Sequence, residues 1–274
     1  MAGKSLTQRF PFLLPLRQKQ RKWFYYAGMR LDSNRYARRM DTERLPFVLF
    51  EARSQLINLH TGCDMQLQKN KVFNLKLAAR TIDHVVVEPG ETFSFYWLAR
   101  HADREQPYRE GLALRYGKLV GSYGGGLCQL SNLLYWAFLH TPLTVTERHG
   151  HRVEAFPSVD SDLPQGVDAT LNEGWKDLRA RNDTGFRMQI EIDFDERYLI
   201  ARVRSDGAAR FRYDVFNENV RYIRRDGHVI QRALVCRRET DLRTGRERTV
   251  RLYVNETEIG YPLPEDTPVE EADE

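Results

Sequence analysis

Three consecutive glycines, Gly124, Gly125 and Gly126, stand directly before an uninterrupted apolar segment of helical length, Leu127 to Leu139, which ends ahead of Pro142. Glycine lacks a Cβ and tolerates the left-handed backbone of a tight reversal, whereas proline lacks an amide hydrogen and halts a helix. The pattern predicts a buried helix that begins abruptly at a glycine turn. The rest of the chain has to cover it.

Upstream, residues to about Arg80 read as mainly helical. Gln18 to Met29 and Asn34 to Met40 carry Arg, Lys and aromatic residues at helical spacing, and Asn70 to Ala79 places Val72, Leu75 and Ala79 on one side. From Val85 the pattern changes to a strand followed by an irregular loop broken by Pro89-Gly90 and by Tyr96 to Leu98. After the central helix, Leu143 to Thr146, His151 to Phe156, Val167 to Leu171, Asp177 to Asn182 and Met188 to Phe194 read as short strands, with Pro164-Gln165-Gly166 and Asn182-Asp183-Thr184-Gly185 as turns. Beyond Asp195 come hairpins built from Tyr198 to Arg204, Phe211 to Phe216, Arg221 to Ile223, Val229 to Cys236 and Thr249 to Val254, with Asp226-Gly227 as a two-residue turn. The expected fold class is α+β: a helical, basic N-terminal cap over 1–69, a core of helix plus antiparallel sheet over 70–195, C-terminal β hairpins as an appendage over 196–262, and an acidic flexible tail over 263–274.

With 274 residues, 41% hydrophobic and 29% charged, the chain is that of an ordinary globular protein, and a net charge of +4 does not call for a nucleic-acid partner. The charge is unevenly placed: ten Lys or Arg precede residue 41 against the single acid Asp32, while Pro264 to Glu274 holds acids and no base. Pro11 and Pro15 interrupt the apolar run Phe10 to Leu16 and no small-residue cleavage site follows, so export is not expected. Nor does any stretch reach the roughly 18 to 20 apolar residues that span a bilayer. A cytoplasmic protein is expected, with two readings of the apolar and aromatic residues Phe10, Phe12, Leu13, Leu14 and Trp23 to Tyr26: they pack on the domain as one side of a basic helix, or they make peripheral contact with the inner face of the membrane. Three widely spaced cysteines, Cys63, Cys128 and Cys236, form neither a disulfide framework nor a metal knuckle and read as free thiols.

Cys128 lies at the first turn of the predicted helix, where the positive end of the helix dipole and unbonded amides favour thiolate over thiol. Gly124, Gly125 and Gly126 would bring a substrate carbonyl close to the backbone, with Gln129 and Asn132 as further substrate contacts and the amides around Cys128 as oxyanion donors. A thiolate nucleophile needs a base and a group to orient it, and His151 and Asp168 follow in that order. A helix-borne Cys with strand-borne His and Asp is a papain-like or transglutaminase-like layout, an analogy of arrangement alone.

Each of these residues also has a structural reading: Cys128 as a small buried hydrophobe, His151 as a cross-strand hydrogen-bond partner and Asp168 as a turn residue. A zinc site competes as well, because His149 and His151 at alternate positions of a strand would face Cys128 from one side. The remaining histidines, His60, His84, His101, His140 and His228, stand singly, and the nucleotide, zincin and serine-hydrolase motifs are absent, so no cofactor is expected.

Glu91-Thr-Phe-Ser-Phe95, Gly124-Gly-Gly-Leu-Cys-Gln129 with Ser131-Asn132-Leu133, Glu147-Arg148, His151, Gly166-Val-Asp-Ala-Thr170 and Asp177-Leu178 through Asn182 occur in this order and together resemble the VanW family, over roughly Asn70 to Phe194. The resemblance implies an accessory protein of glycopeptide (vancomycin) resistance with a peptidoglycan precursor or stem peptide as its partner. The family's pattern holds the histidine that matches His151 and not the one at His149, which favours the thiol reading over zinc. The resemblance supplies no mechanism, and three functions stay open: a Cys128, His151, Asp168 thiol enzyme acting on amide or acyl bonds, as the residues suggest; a non-catalytic protein that binds a wall precursor or a resistance enzyme; and a zinc-dependent hydrolase.

Overall fold

The computed structural model describes residues 12, 14–58, 62, 64–115, 118–155 and 163–271; Phe10, His60, Cys63 and Phe156 lie outside them. Its helices are α1 (Leu14–Leu31), α2 (Met65–Ala79), α3 (Phe95–Ala99) and α4 (Leu127–Leu139). The last is the helix the glycine run predicts, beginning at Gly126 with φ 103°. Leu130, Leu134 and Phe138 on it are completely buried, because α4 lies across a four-stranded antiparallel sheet in the order Phe47–Gln55, Tyr198–Ser205, Met188–Phe194, Val85–Val87. α2 packs against α4, and one apolar core runs through both helices, this sheet and Val235 of the C-terminal strands.

A second sheet of four short strands, Arg35–Tyr36, Glu91–Ser94, Arg179–Arg181 and Thr144–Glu147, covers another side of the core. A third holds the long strands Phe211–Arg225, His228–Asp241 and Glu247–Ile259, flanked by the parallel edge strands Val269–Glu271 and Val153–Glu154. Glu110–Arg115 and Lys118–Tyr123 form a separate hairpin that leans on α2. The protein is thus α+β with few helices and several sheets.

The structure departs from the sequence reading where long-range pairing decides local form. Asn34 to Met40 is not helical: Arg35 and Tyr36 pair with Glu91 and Thr92, and Met40 bridges to Val85. Phe47–Gln55 is hidden within the supposed helical cap because only Ala52 on this edge strand is buried, so the alternation that marks a strand is weak. Tyr96 to Leu98 is helix rather than loop, with the Ser94 hydroxyl capping it by accepting the Trp97 amide at 3.0 Å. Val167 to Leu171 forms no strand. Tyr198–Ser205, grouped in the sequence with the C-terminal hairpins, is an inner strand of the central sheet. The acidic end is not wholly a tail, since Val269–Glu271 adds to Phe211–Arg225 with Glu271 accepting from Arg224 at 3.2 Å. Asp226-Gly227 is the expected hairpin turn, both residues having positive φ.

α1 docks through Tyr25, Tyr26 and Met29 onto Tyr36 and Trp97. The Tyr25 hydroxyl donates to Asp177 at 2.9 Å and the Tyr26 hydroxyl to Glu173 at 2.8 Å. Phe12, Leu16, Trp23 and Phe24 stay exposed. Among the described residues no helix is long and apolar enough to cross a membrane.

If α4 is the centre of the core, Leu130→Ala removes roughly 2–5 kcal/mol of stability in urea unfolding, whereas exposed Trp23→Ala changes it by no more than about 0.5 kcal/mol. Equal effects of the two would contradict this placement.

Candidate active site

The glycine turn is fixed from outside. Asn74, fully buried on α2, donates to the carbonyls of Gly125 and Arg109 at 2.9 Å and accepts the Arg109 amide at 2.8 Å. A Cβ at Gly125 would collide with the Gly111 carbonyl, and one at Gly126 would collide with Lys71 Cγ. The glycines are therefore required by packing of the hairpin and α2 against the turn, and not only by the approach of a ligand. Gly126 gives the first turn of α4 no side-chain cap, and while the Gln129 amide donates to the Gly126 carbonyl at 3.0 Å, the Leu127 and Cys128 amides have no carbonyl a turn earlier to accept them.

Cys128, half-buried on this first turn, meets three groups. The Leu171 amide donates to its sulfur at 3.4 Å, the Thr170 hydroxyl lies 3.8 Å away, and the His151 ring is near enough to act on the sulfur electrostatically. His151 Nδ1 engages the Asp168 carboxylate, which also accepts the His151 backbone amide at 2.7 Å; Nε2 is the nitrogen left for Cys128. The three residues that chain order presents as nucleophile, base and orienter are brought together.

They are not held as expected. His151 stands just ahead of the short strand Val153–Glu154, and Asp168 lies in an irregular stretch, so the strand-borne His and Asp of the papain-like layout are replaced by two loops. Arg148 organises these loops: its guanidinium donates to the Asp168 carboxylate and backbone carbonyl, to the Gly166 carbonyl at 2.6 Å and to Asn255 Oδ1 at 3.2 Å. The long C-terminal strand Glu247–Ile259 completes the support. Thr257 donates to the His151 carbonyl at 3.1 Å, and Tyr253, itself bonded to Tyr135 of α4 at 2.8 Å, donates to Gly166 at 3.1 Å. The C-terminal hairpins are therefore part of the site rather than an appendage to it. Arg148 and Thr170 fall within strings that carry the family resemblance, which assigns them no role, and Leu171, Asn255 and Thr257 carry no local motif.

Of the remaining expected contacts, Gln129 gives its amide to Ser54 at 3.0 Å and to the Gln55 carbonyl at 2.7 Å, and Asn132 accepts the Ala169 amide at 2.7 Å. Both border the cleft, yet both also hold the fold together. Gln129 ties α4 to the central sheet, and Asn132 seats the chain beside Asp168. His149 does not face Cys128. The segment is not a strand, so alternate residues do not share a face, and the His149 ring contacts Glu147 at 3.1 Å. Among the described residues no group of three His, Cys, Asp or Glu side chains could hold a metal ion.

Burial pushes the Cys128 thiol up, but His151, the Leu171 amide and the Thr170 hydroxyl outweigh it and hold the thiol below its ordinary value. Burial likewise opposes the imidazolium of His151, yet its bond to Asp168 and the influence of Cys128 raise it to about 10. For Asp168, burial is again overcome, by His151 and then Arg148, so the carboxyl stays below its usual range. Both shifts favour a thiolate–imidazolium pair, which is lost as pH falls through the lowered Cys128 value and as pH rises through the raised His151 value. The pair opens on a cleft of about 1400 Å3 that also reaches Gly124, Gly125 and Gly126. Alkylation of Cys128 should therefore reach half its maximal rate below the ordinary thiol value of about 8.5, and His151→Ala should move that midpoint upward; a midpoint that ignores His151 would contradict the pair.

Comparison with known proteins gives the chain a lineage. The chain is 49% identical over 275 residues, the whole of both chains, to the vancomycin B-type resistance protein VanW of Enterococcus faecalis. It is 28% identical over 188 residues, 68% of this chain and 56% of the relative, to the uncharacterized protein YoaR of Bacillus subtilis. No solved structure matches it. The family model described as VanW like protein matches residues 70–204, a span that includes α4, Cys128, His151, Asp168 and most of the central-sheet strand Tyr198–Ser205. With a full-length relative at this identity, the chain belongs to the VanW family.

Proposed function

We propose that this protein is a thiol enzyme of vancomycin resistance that cleaves or transfers amide or acyl bonds in a peptidoglycan precursor or stem peptide. The observation that carries the reading is that Cys128, His151 and Asp168 line one cleft, with His151 Nδ1 bonded to Asp168 and the His151 ring lowering the Cys128 thiol. A buried structural cysteine has no need of a paired imidazole, and a binding cleft alone has no need of a thiolate. The resistance setting is taken from the name of the enterococcal relative.

In this reading the Cys128 thiolate adds to the substrate carbonyl carbon and forms a C–S bond, while the carbonyl electron pair moves onto oxygen and is met by the first-turn amides of α4. Collapse breaks the C–N bond, and the His151 imidazolium gives its proton to the departing amine. Water, or an acceptor amine, then adds to the thioester carbon and passes a proton to His151, and collapse breaks the C–S bond, which releases the acyl product and restores the thiolate. Asp168 holds the ring orientation throughout, and Arg148 fixes Asp168. Chain order and roles match papain-type chemistry even though the His and Asp stand on loops.

Incubation with a synthetic stem pentapeptide, followed by intact-protein mass spectrometry after acid quenching, tests the proposal. The expected result is a covalent acyl adduct on Cys128 and a shortened or transferred peptide, no adduct in Cys128→Ala, and a loss of about 10²- to 10⁴-fold in rate in His151→Ala. Saturable peptide binding that survives Cys128→Ala, with no adduct and no product in the unaltered protein, would instead establish the non-catalytic binding role.

A further inference from the structure

Lys71 is only 6% exposed. Its stem lies directly over the start of α4, where a Cβ at Gly126 would collide with Lys71 Cγ, and it borders the cleft that contains Cys128. Its polar neighbours on α2 are engaged, Asn70 with the Glu110 carbonyl at 2.8 Å and Asn74 with the glycine turn. Lys71 is not: among the described residues nothing hydrogen-bonds or ion-pairs with it, and burial alone lowers its ammonium to about 8. The stem of Lys71 is buried while its ammonium meets the cleft with no counter-charge beside it among the described residues, a setting that favours an anion there. The adjacent N-terminus of α4 adds unbonded amides and the positive end of the helix dipole.

We infer that Lys71, together with the N-terminus of α4, forms an anion subsite that takes a free carboxylate of the substrate, so that the protein selects carboxylate-bearing peptides over neutral ones. This rests on the reading of Cys128 as the nucleophile and names the class of substrate presented to it. A carboxylate seated at Lys71 supplies the missing counter-ion and holds the neighbouring carbonyl beside the sulfur. Lys71 thereby acts in binding and specificity, with no proton or bond passing through it.

Paired alkylating agents of nearly equal size separate the two ideas. Iodoacetate carries the carboxylate and iodoacetamide does not, and both lose iodide to the Cys128 thiolate. At neutral pH the ratio of iodoacetate to iodoacetamide rates at Cys128 should fall by about tenfold in Lys71→Met, the loss of one charge-assisted hydrogen bond, and be largely retained in Lys71→Arg. In the unaltered protein, acetate should slow iodoacetate labelling while acetamide should not, a readout that stands if the Lys71→Met chain fails to fold. A reactive Cys128 whose ratio is the same with and without the Lys71 charge, or whose labelling acetate and acetamide slow alike, overturns the subsite and leaves the nucleophile reading intact. A Cys128 no more reactive toward either reagent than buried Cys236 sinks the nucleophile reading and the subsite with it.

Discussion

The structure turns on where the carboxylate of Asp168 sits. One oxygen is taken by Arg148 and the other by the ring and backbone amide of His151, so a single charge joins two loops that have no regular hydrogen-bond ladder of their own. Arg148 in turn reaches Asn255 on a C-terminal strand, and α4 reaches the same strand through Tyr135 and Tyr253. Removing one partner from such a partly buried network leaves an unmatched charge, which costs more than the pair contributes while complete. This network ties the His151 and Asp168 segments to each other and to the strand Glu247–Ile259.

What the network achieves is a shift in electrostatics at a fixed place. A thiol enclosed by protein would ordinarily resist ionisation, and an enclosed imidazole would resist protonation. Each reverses that tendency because it supplies the counter-charge of the other, with Asp168 tipping the ring toward imidazolium. The glycine turn makes the arrangement accessible: held by Asn74 from behind and left uncapped in front, it presents the amides of α4 to the cleft. Packing thus requires Gly125 and Gly126, and the proposed reaction would use the turn that they form.

How much of this is legible in the sequence follows from which forces are local. Gly124 to Leu139 announces a turn and a helix because glycine freedom and an apolar run act within a few residues, and the same helix start singles out Cys128. His151 and Asp168 are legible through chain order and chemical type, but their setting is not. The segments around them read as strands from β-branched composition, while their real form is imposed by Arg148, Asn255 and Thr257, the last two from far along the chain. The strand Phe47–Gln55 is concealed because one buried residue does not make a pattern. Lys71 is concealed because it interrupts the apolar side of α2, where Val72 and Leu75 mark the core and a lysine among them reads as solvated. The central-sheet role of Tyr198–Ser205 is equally invisible, since a hairpin strand reads the same whether its outer edge is free or paired with Phe47–Gln55.

If Cys128 and His151 share an ion pair held by Asp168, the protonation state of the His151 ring reports it most directly, followed by nuclear magnetic resonance of ring-labelled protein across pH. The expected ring is an imidazolium that persists through neutral pH and titrates near about 10, and that gives up its proton at lower pH in Cys128→Ala, where one of its two counter-charges is gone. A His151 ring that is already neutral at about pH 7 in the unaltered protein, or that titrates identically with and without the Cys128 sulfur, would contradict the pair.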